Sequence, residues 1–145
     1  MSNPTALAFG FPHTLVGETS SWLILARPKQ PTFGALVLIC KEEAHAFSEI
    51  SRDAFADLAV AVAAIEAMLG KVTAYEKINY LMLMMVDRDV HFHVIPRYAG
   101  ERVHEGQAFL DAGWPGVPNL GAAVDLGAEG AAKLAALLQR EWRPA

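Results

Sequence analysis

A single cysteine, Cys40, excludes an internal disulfide framework and any zinc cage built on thiolates. It stands in an apolar run, where a buried thiol is inert. Positive charge is also short: 12 Lys and Arg against 16 Asp and Glu leave a net charge of −4. With no basic stripe, tracking a long nucleic acid has no electrostatic support, although a small anionic ligand needs only a local site. No apolar run reaches the length of a membrane span, and the N-terminus lacks the charged, apolar, then small-residue order of a secretory signal. The expectation is a cytoplasmic protein that makes no use of a membrane. Internal repeats and low-complexity segments are missing as well.

What the chain does have is apolar patterning. Hydrophobic side chains make up 53% of it, enough for one substantial core in a single domain over residues 1–145. Pro4, Gly10 and Pro12 mark an irregular N-terminal arm that Phe9 and Phe11 could pin to the body, and His13 within it reads as an exposed imidazole. Two apolar runs, Trp22 to Ala26 and Ala35 to Cys40, flank a turn region holding Pro28, Pro31 and Gly34 and read as a β-hairpin. After Ser51, a suitable N-cap, apolar residues from Phe55 through Leu58, Val62, Ile65 and Leu69 recur at helical steps until Gly70.

Ile78 to Val86 is apolar on both parities and reads as a strand covered on both faces, followed by a tight turn at Asp87-Arg88. Met82, Met84 and Met85 read as adaptable core or dimer packing, and His45 as surface. Residues 100–121 are rich in Gly and Pro, carry His104 and Trp114, and read as a long loop. A last helix is expected at about residues 128–142. The order of elements predicts an α+β domain with an antiparallel sheet and helices on one side.

The most informative run is Val86-Asp87-Arg88-Asp89-Val90-His91-Phe92-His93-Val94-Ile95-Pro96-Arg97-Tyr98. Side chains two apart on a strand share a face, so His91 and His93 stand together with Cβ atoms about 6 to 7 Å apart, and Asp89 has the same parity. A neutral imidazole held in one tautomer is a competent nucleophile towards phosphorus. Idle burial of two imidazoles and a carboxylate on one face would be costly.

His91-Phe92-His93-Val94-Ile95-Pro96-Arg97, preceded by the hairpin, the helix and Lys77-Ile78-Asn79-Tyr80, resembles the histidine-triad (HIT) family of nucleotide hydrolases and transferases. The resemblance spans residues 14–98, is most specific over 78–98, and implies a HIT-like fold. That is an antiparallel sheet of about five strands with a long helix and a C-terminal helix. It implies that His91 attacks the α-phosphate of a small nucleotide conjugate, a dinucleoside polyphosphate or a nucleoside phosphoramidate, giving a nucleotidyl-histidine that water cleaves. His93 would contact phosphate and lend its backbone carbonyl to the other ring proton of His91. By the same analogy Trp22, Ile24 and Leu36 would line the base cleft. Asn79 would reach the ribose or satisfy backbone, and Arg97 would hold the strand exit or the phosphate. No cofactor is required, a divalent cation could accompany a polyphosphate, and the family commonly forms homodimers.

The chain departs from the family pattern at three places. Asp89 replaces the first histidine of the triad, Ala35 stands where a histidine often follows the hairpin glycine, and the Gly-x-x-Gly-Gln-Ser/Thr loop is missing. Asp89 would favour a protonated His91 or fix its tautomer, and its repulsion of phosphate would need Arg88, Arg97 or Arg102 to offset it. Two alternatives follow: a nucleotide-binding or sensing module without turnover, and a metal site using Asp89, His91 and His93 with His104.

Overall fold

The computed structural model describes residues 3–144. A short helix α1 (Pro4–Ala8) leads into β1 (Leu15–Glu18), β2 (Trp22–Ala26), β3 (Lys29–Gln30) and β4 (Leu36–Cys40). The long helix α2 (Arg52–Thr73) follows, then β5 (Lys77–Leu81) and β6 (His91–Arg97). The small hairpin β7 (Arg102–His104) and β8 (Gln107–Phe109), β9 (Val124–Asp125) and α3 (Gly127–Gln139) complete the chain. Five strands form one antiparallel sheet in the order β1-β2-β4-β6-β5, as the α+β reading expects. No helix among the described residues is long and apolar enough to cross a membrane.

Register decides what each face carries. Leu23 lies opposite Ile39 and Ile39 opposite His91; Leu25 lies opposite Val37 and Val37 opposite His93. The alternate residues Trp22, Ile24, Leu36, Leu38, Phe92 and Val94 belong to the main core beneath α2 and α3. Burying these large apolar side chains supplies the main drive for folding, about 1.5–3 kcal/mol for each one fully removed from water. Trp22 Nε1 donates to Ala54 O at 2.9 Å, and Tyr80 Oη donates to Glu66 Oε2 at 2.7 Å, tying β2 and β5 to α2. On the other face Leu23, Leu25, Val37 and Ile39 meet Ala6, Phe9 and Phe11 of the N-terminal arm and Leu15 of β1.

Coverage on both faces therefore belongs to β2 and β4, and the expected strand over 78–86 is shorter. It ends at Leu81; Met84 takes a left-handed φ of 50°, and Met85 and Val86 are 87% and 88% exposed. The helix starts as expected, with Ser51 Oγ accepting from Ala54 N, but it passes Gly70 and stops where Ala74 adopts φ 50°. At the turn before β4, Gly34 has φ 91°, and a Cβ there would sit 3.1 Å from Thr73 Cγ2, so α2 can close onto the hairpin. The segment read as a loop contains the β7–β8 hairpin, and α3 ends at Gln139, earlier than expected.

Candidate active site

His91 opens β6 and His93 follows two residues later, so pleating puts both imidazoles on the arm-covered face, with ring centroids 5.2 Å apart in an edge-to-face pair. His91 Nδ1 lies 2.6 Å from the carbonyl oxygen of Asp89. A carbonyl only accepts, so Nδ1 carries the hydrogen, and in the neutral ring Nε2 holds the lone pair. The accepting carbonyl is that of Asp89, which corrects the expectation that His93 supplies it.

The Asp89 carboxylate is also engaged differently than parity suggests. Its Oδ2 accepts from Thr5 N at 3.1 Å and Thr5 Oγ1 at 2.9 Å, and its Oδ1 stands 3.6 Å from His45 Nε2. Asp89 precedes the strand, so strand alternation does not govern it. The side chain fastens the arm, and the backbone orients His91. His45, read from sequence as surface, is half exposed yet faces this carboxylate.

His93 has a different environment. Burial, then the charges of Arg27 and His91, push its pKa down to about 4, so the ring is neutral near pH 7. Its Nδ1 is buried without a hydrogen-bond partner. Phe9 lies over both rings, with centroids 6.3 Å from His91 and 5.9 Å from His93. His91 is 1% exposed and His93 8%. Phe9 of the arm thus covers the histidines, with the main core on the far side of the sheet.

Several expected partners lie elsewhere. Trp22, Ile24 and Leu36 are fully buried in the core on the opposite face, because register gives them the parity opposite to His91 and His93. Arg97 shares the imidazole face, but Asp111 engages its Nε at 2.7 Å and its Nη2 at 3.1 Å. Its Nη1 bonds Asn79 Oδ1 at 2.7 Å, and Nη2 also reaches Gly116 O. Arg97 thus holds the strand exit and the 111–116 segment, and Asn79 spends its carbonyl on it. Arg102 donates to Thr73 O and Ala74 O, capping α2, and Arg88 is exposed beside a cavity of about 420 Å³ that Thr5, Lys41, His45 and Asp89 also line. A second cavity of about 630 Å³ is lined by Asn79, Leu81, Arg97, Trp114 and Val117.

The metal reading fails on geometry. His104 packs on Phe33, with centroids 5.0 Å apart, and no three His, Cys, Asp or Glu side chains gather as a ligand set among the described residues. A residue that the sequence reading missed is Arg27. Its backbone N donates to Ala35 O, continuing the Leu23, Leu25 parity onto the imidazole face, and its guanidinium carbon lies 5.9 Å from the Phe9 ring centroid.

No protein-family profile matches this sequence, and no curated protein matches it. Solved structures do. A histidine-triad protein from Bradyrhizobium japonicum superposes with a TM-score of 0.73 at 16% identity, covering 99% of this chain and 98% of that one. A histidine-triad (HIT) protein from Sinorhizobium meliloti gives a TM-score of 0.73 at 23% identity, with 97% and 96% covered. The diadenosine triphosphate hydrolase of Plasmodium falciparum gives 0.65 at 12% identity, with 91% and 80% covered. The resemblance carried by His91-Phe92-His93 is met by the whole architecture: this chain has the histidine-triad fold.

Proposed function

We propose that the protein is a nucleotidyl hydrolase or transferase acting on the α-phosphate of a small nucleotide conjugate, a dinucleoside polyphosphate or a nucleoside phosphoramidate. The observation that carries this reading is the 2.6 Å contact between His91 Nδ1 and Asp89 O, which fixes the tautomer a nucleophilic Nε2 needs. A diadenosine triphosphate hydrolase among the structural neighbours supports the substrate class. Nε2 bonds to the α-phosphorus as the bond to the leaving group breaks, and the departing oxygen or nitrogen takes its proton from solvent. The Asp89 carbonyl stabilises the cationic ring so formed. Water then attacks phosphorus, its proton passes to solvent, the P–N bond breaks and His91 is restored. His93, neutral at pH 7, contacts the phosphate beside it.

The chemistry requires no cofactor, and a divalent cation could accompany a polyphosphate. Access requires Phe9 and its arm to leave the imidazoles. The protein acts as a cytoplasmic homodimer in this proposal, with the edge strand β5 and the exposed Met85 and Val86 beyond it as the surface where copies meet. Sedimentation at micromolar concentration distinguishes dimer from monomer.

The burial of His91 under the arm favours a second reading, nucleotide binding without turnover. Product formation from adenosine and guanosine polyphosphates and phosphoramidates, in chelator, separates the two. The enzyme reading expects turnover by the wild type that is lost in His91→Ala. Equal binding by both proteins with no turnover in either would replace it with the binding module.

A further inference from the structure

Among the described residues, four buried side-chain nitrogens and oxygens lack a hydrogen-bond partner, and three of them are Arg27 Nε, Arg27 Nη1 and His93 Nδ1. Leaving buried polar groups unmet costs free energy, most of all for a charged group. No carboxylate forms an ion pair with Arg27 among the described residues, and burial pulls its pKa below the usual arginine value. A purely structural arginine would have acquired a carbonyl or carboxylate, as Arg97 did with Asp111, Asn79 and Gly116.

The register locates this guanidinium. Arg27 is bonded across the hairpin to Ala35, and Ala35 continues the β4 register one step from Leu36, which lies opposite Val94. Arg27 therefore stands one row from the Leu25, Val37, His93 row and on the same face. Ala35, with only a methyl group, leaves the long side chain free to lie across the hairpin. The Phe9 ring neighbours both groups, its centroid 5.9 Å from the Arg27 guanidinium carbon and 5.9 Å from the His93 ring centroid.

We propose that Arg27 is an anion-holding residue, and that a phosphoryl group takes the place of the Phe9 ring between the Arg27 guanidinium and His93. The guanidinium offers forked donors suited to two phosphoryl oxygens. The arm, with one aromatic ring on the site and its Thr5 anchor on Asp89, fills the space when the ligand is absent. This proposal rests on the reading of the histidine face as a phosphate site, yet it does not depend on turnover.

The test titrates pyrophosphate, in chelator, into the full ¹⁵N-labelled chain while the imidazole nitrogens of His91 and His93 are followed by NMR. Wild type and Phe9→Ala should bind saturably with shifts at His93, Phe9→Ala more tightly. Arg27→Met should bind at least about tenfold more weakly, the loss expected for a charge-assisted contact. It should also melt close to wild type, because Arg27 makes no side-chain hydrogen bond or ion pair among the described residues that the substitution would break. Arg27→Lys, which keeps the charge without the fork, should fall between and serves if the methionine variant does not fold. Pyrophosphate binding that is unchanged in Arg27→Met, or absent from both wild type and Phe9→Ala, would overturn the proposal. His91-dependent turnover with an unaltered KM in Arg27→Met would overturn it while leaving the proposed reaction standing. Conversely, Arg27-dependent pyrophosphate binding without turnover would leave Arg27 in its role and remove the reaction.

Discussion

The two faces of the central sheet are built on opposite terms. On the α2 side Trp22, Ile24, Leu36, Leu38 and Phe92 pack against two helices, and the indole nitrogen has its partner in Ala54 O. On the arm side a five-residue helix and two phenylalanines cover Leu23, Leu25, Val37 and Ile39, and His93 and Arg27 lie there with unmet nitrogens. One face is closed by its own contacts, and the other leaves buried nitrogens without hydrogen-bond partners. In the proposed function, stability and chemistry are divided across a single layer of backbone.

Substitutions should separate the faces. Arg97→Met removes one partner of a buried, multiply bonded ion pair and should cost about 3–5 kcal/mol in urea unfolding. Ile65→Ala, a cavity on the α2 side, should cost about 2–5 kcal/mol. Phe9→Ala, on the arm side, should cost about 1 kcal/mol or less while accelerating modification of His91 by diethyl pyrocarbonate. A Phe9 substitution as costly as Ile65→Ala would make the arm part of the core and erase the contrast.

A further contrast is one of pH. His93 has a folded pKa of about 4 against 6.5 for the ordinary side chain. Between these values the unfolded chain binds more protons than the folded one, so this group's contribution to stability declines as pH falls from about 6.5 towards 4. Unfolding at pH 7 and pH 5 should show a smaller acid loss in His93→Leu than in wild type. Equal losses in both would mean that His93 meets solvent as freely folded as unfolded.

Strand parity made the imidazole pair legible, since His91 and His93 sit within a regular strand. It failed at Asp89, where the strand has not begun and the backbone turns its carbonyl, not its carboxylate, to the ring. It also could not assign Trp22, Ile24 and Leu36, because a hairpin apolar on both parities has no polar side to mark which face meets the histidines. The same double apolarity did carry information: Leu23, Leu25, Val37 and Ile39 required a second cover, and the arm with Phe9 and Phe11 provides it. Arg27 continues the Leu23, Leu25 alternation and was hidden by Pro28, which reads as the start of a turn. His45 left no local signal, because its meeting with Asp89 joins residues 44 positions apart.

In the proposed reaction His91, oriented by the Asp89 carbonyl, becomes covalently bonded to the α-phosphorus of a nucleotide conjugate. Intact-mass spectrometry of protein mixed with an adenosine polyphosphate or phosphoramidate and quenched at neutral or alkaline pH reads this directly. A transient nucleotidyl adduct that maps to His91 and is missing in His91→Ala is the predicted result. Turnover with no adduct at any time, or with an adduct on another residue, would contradict it.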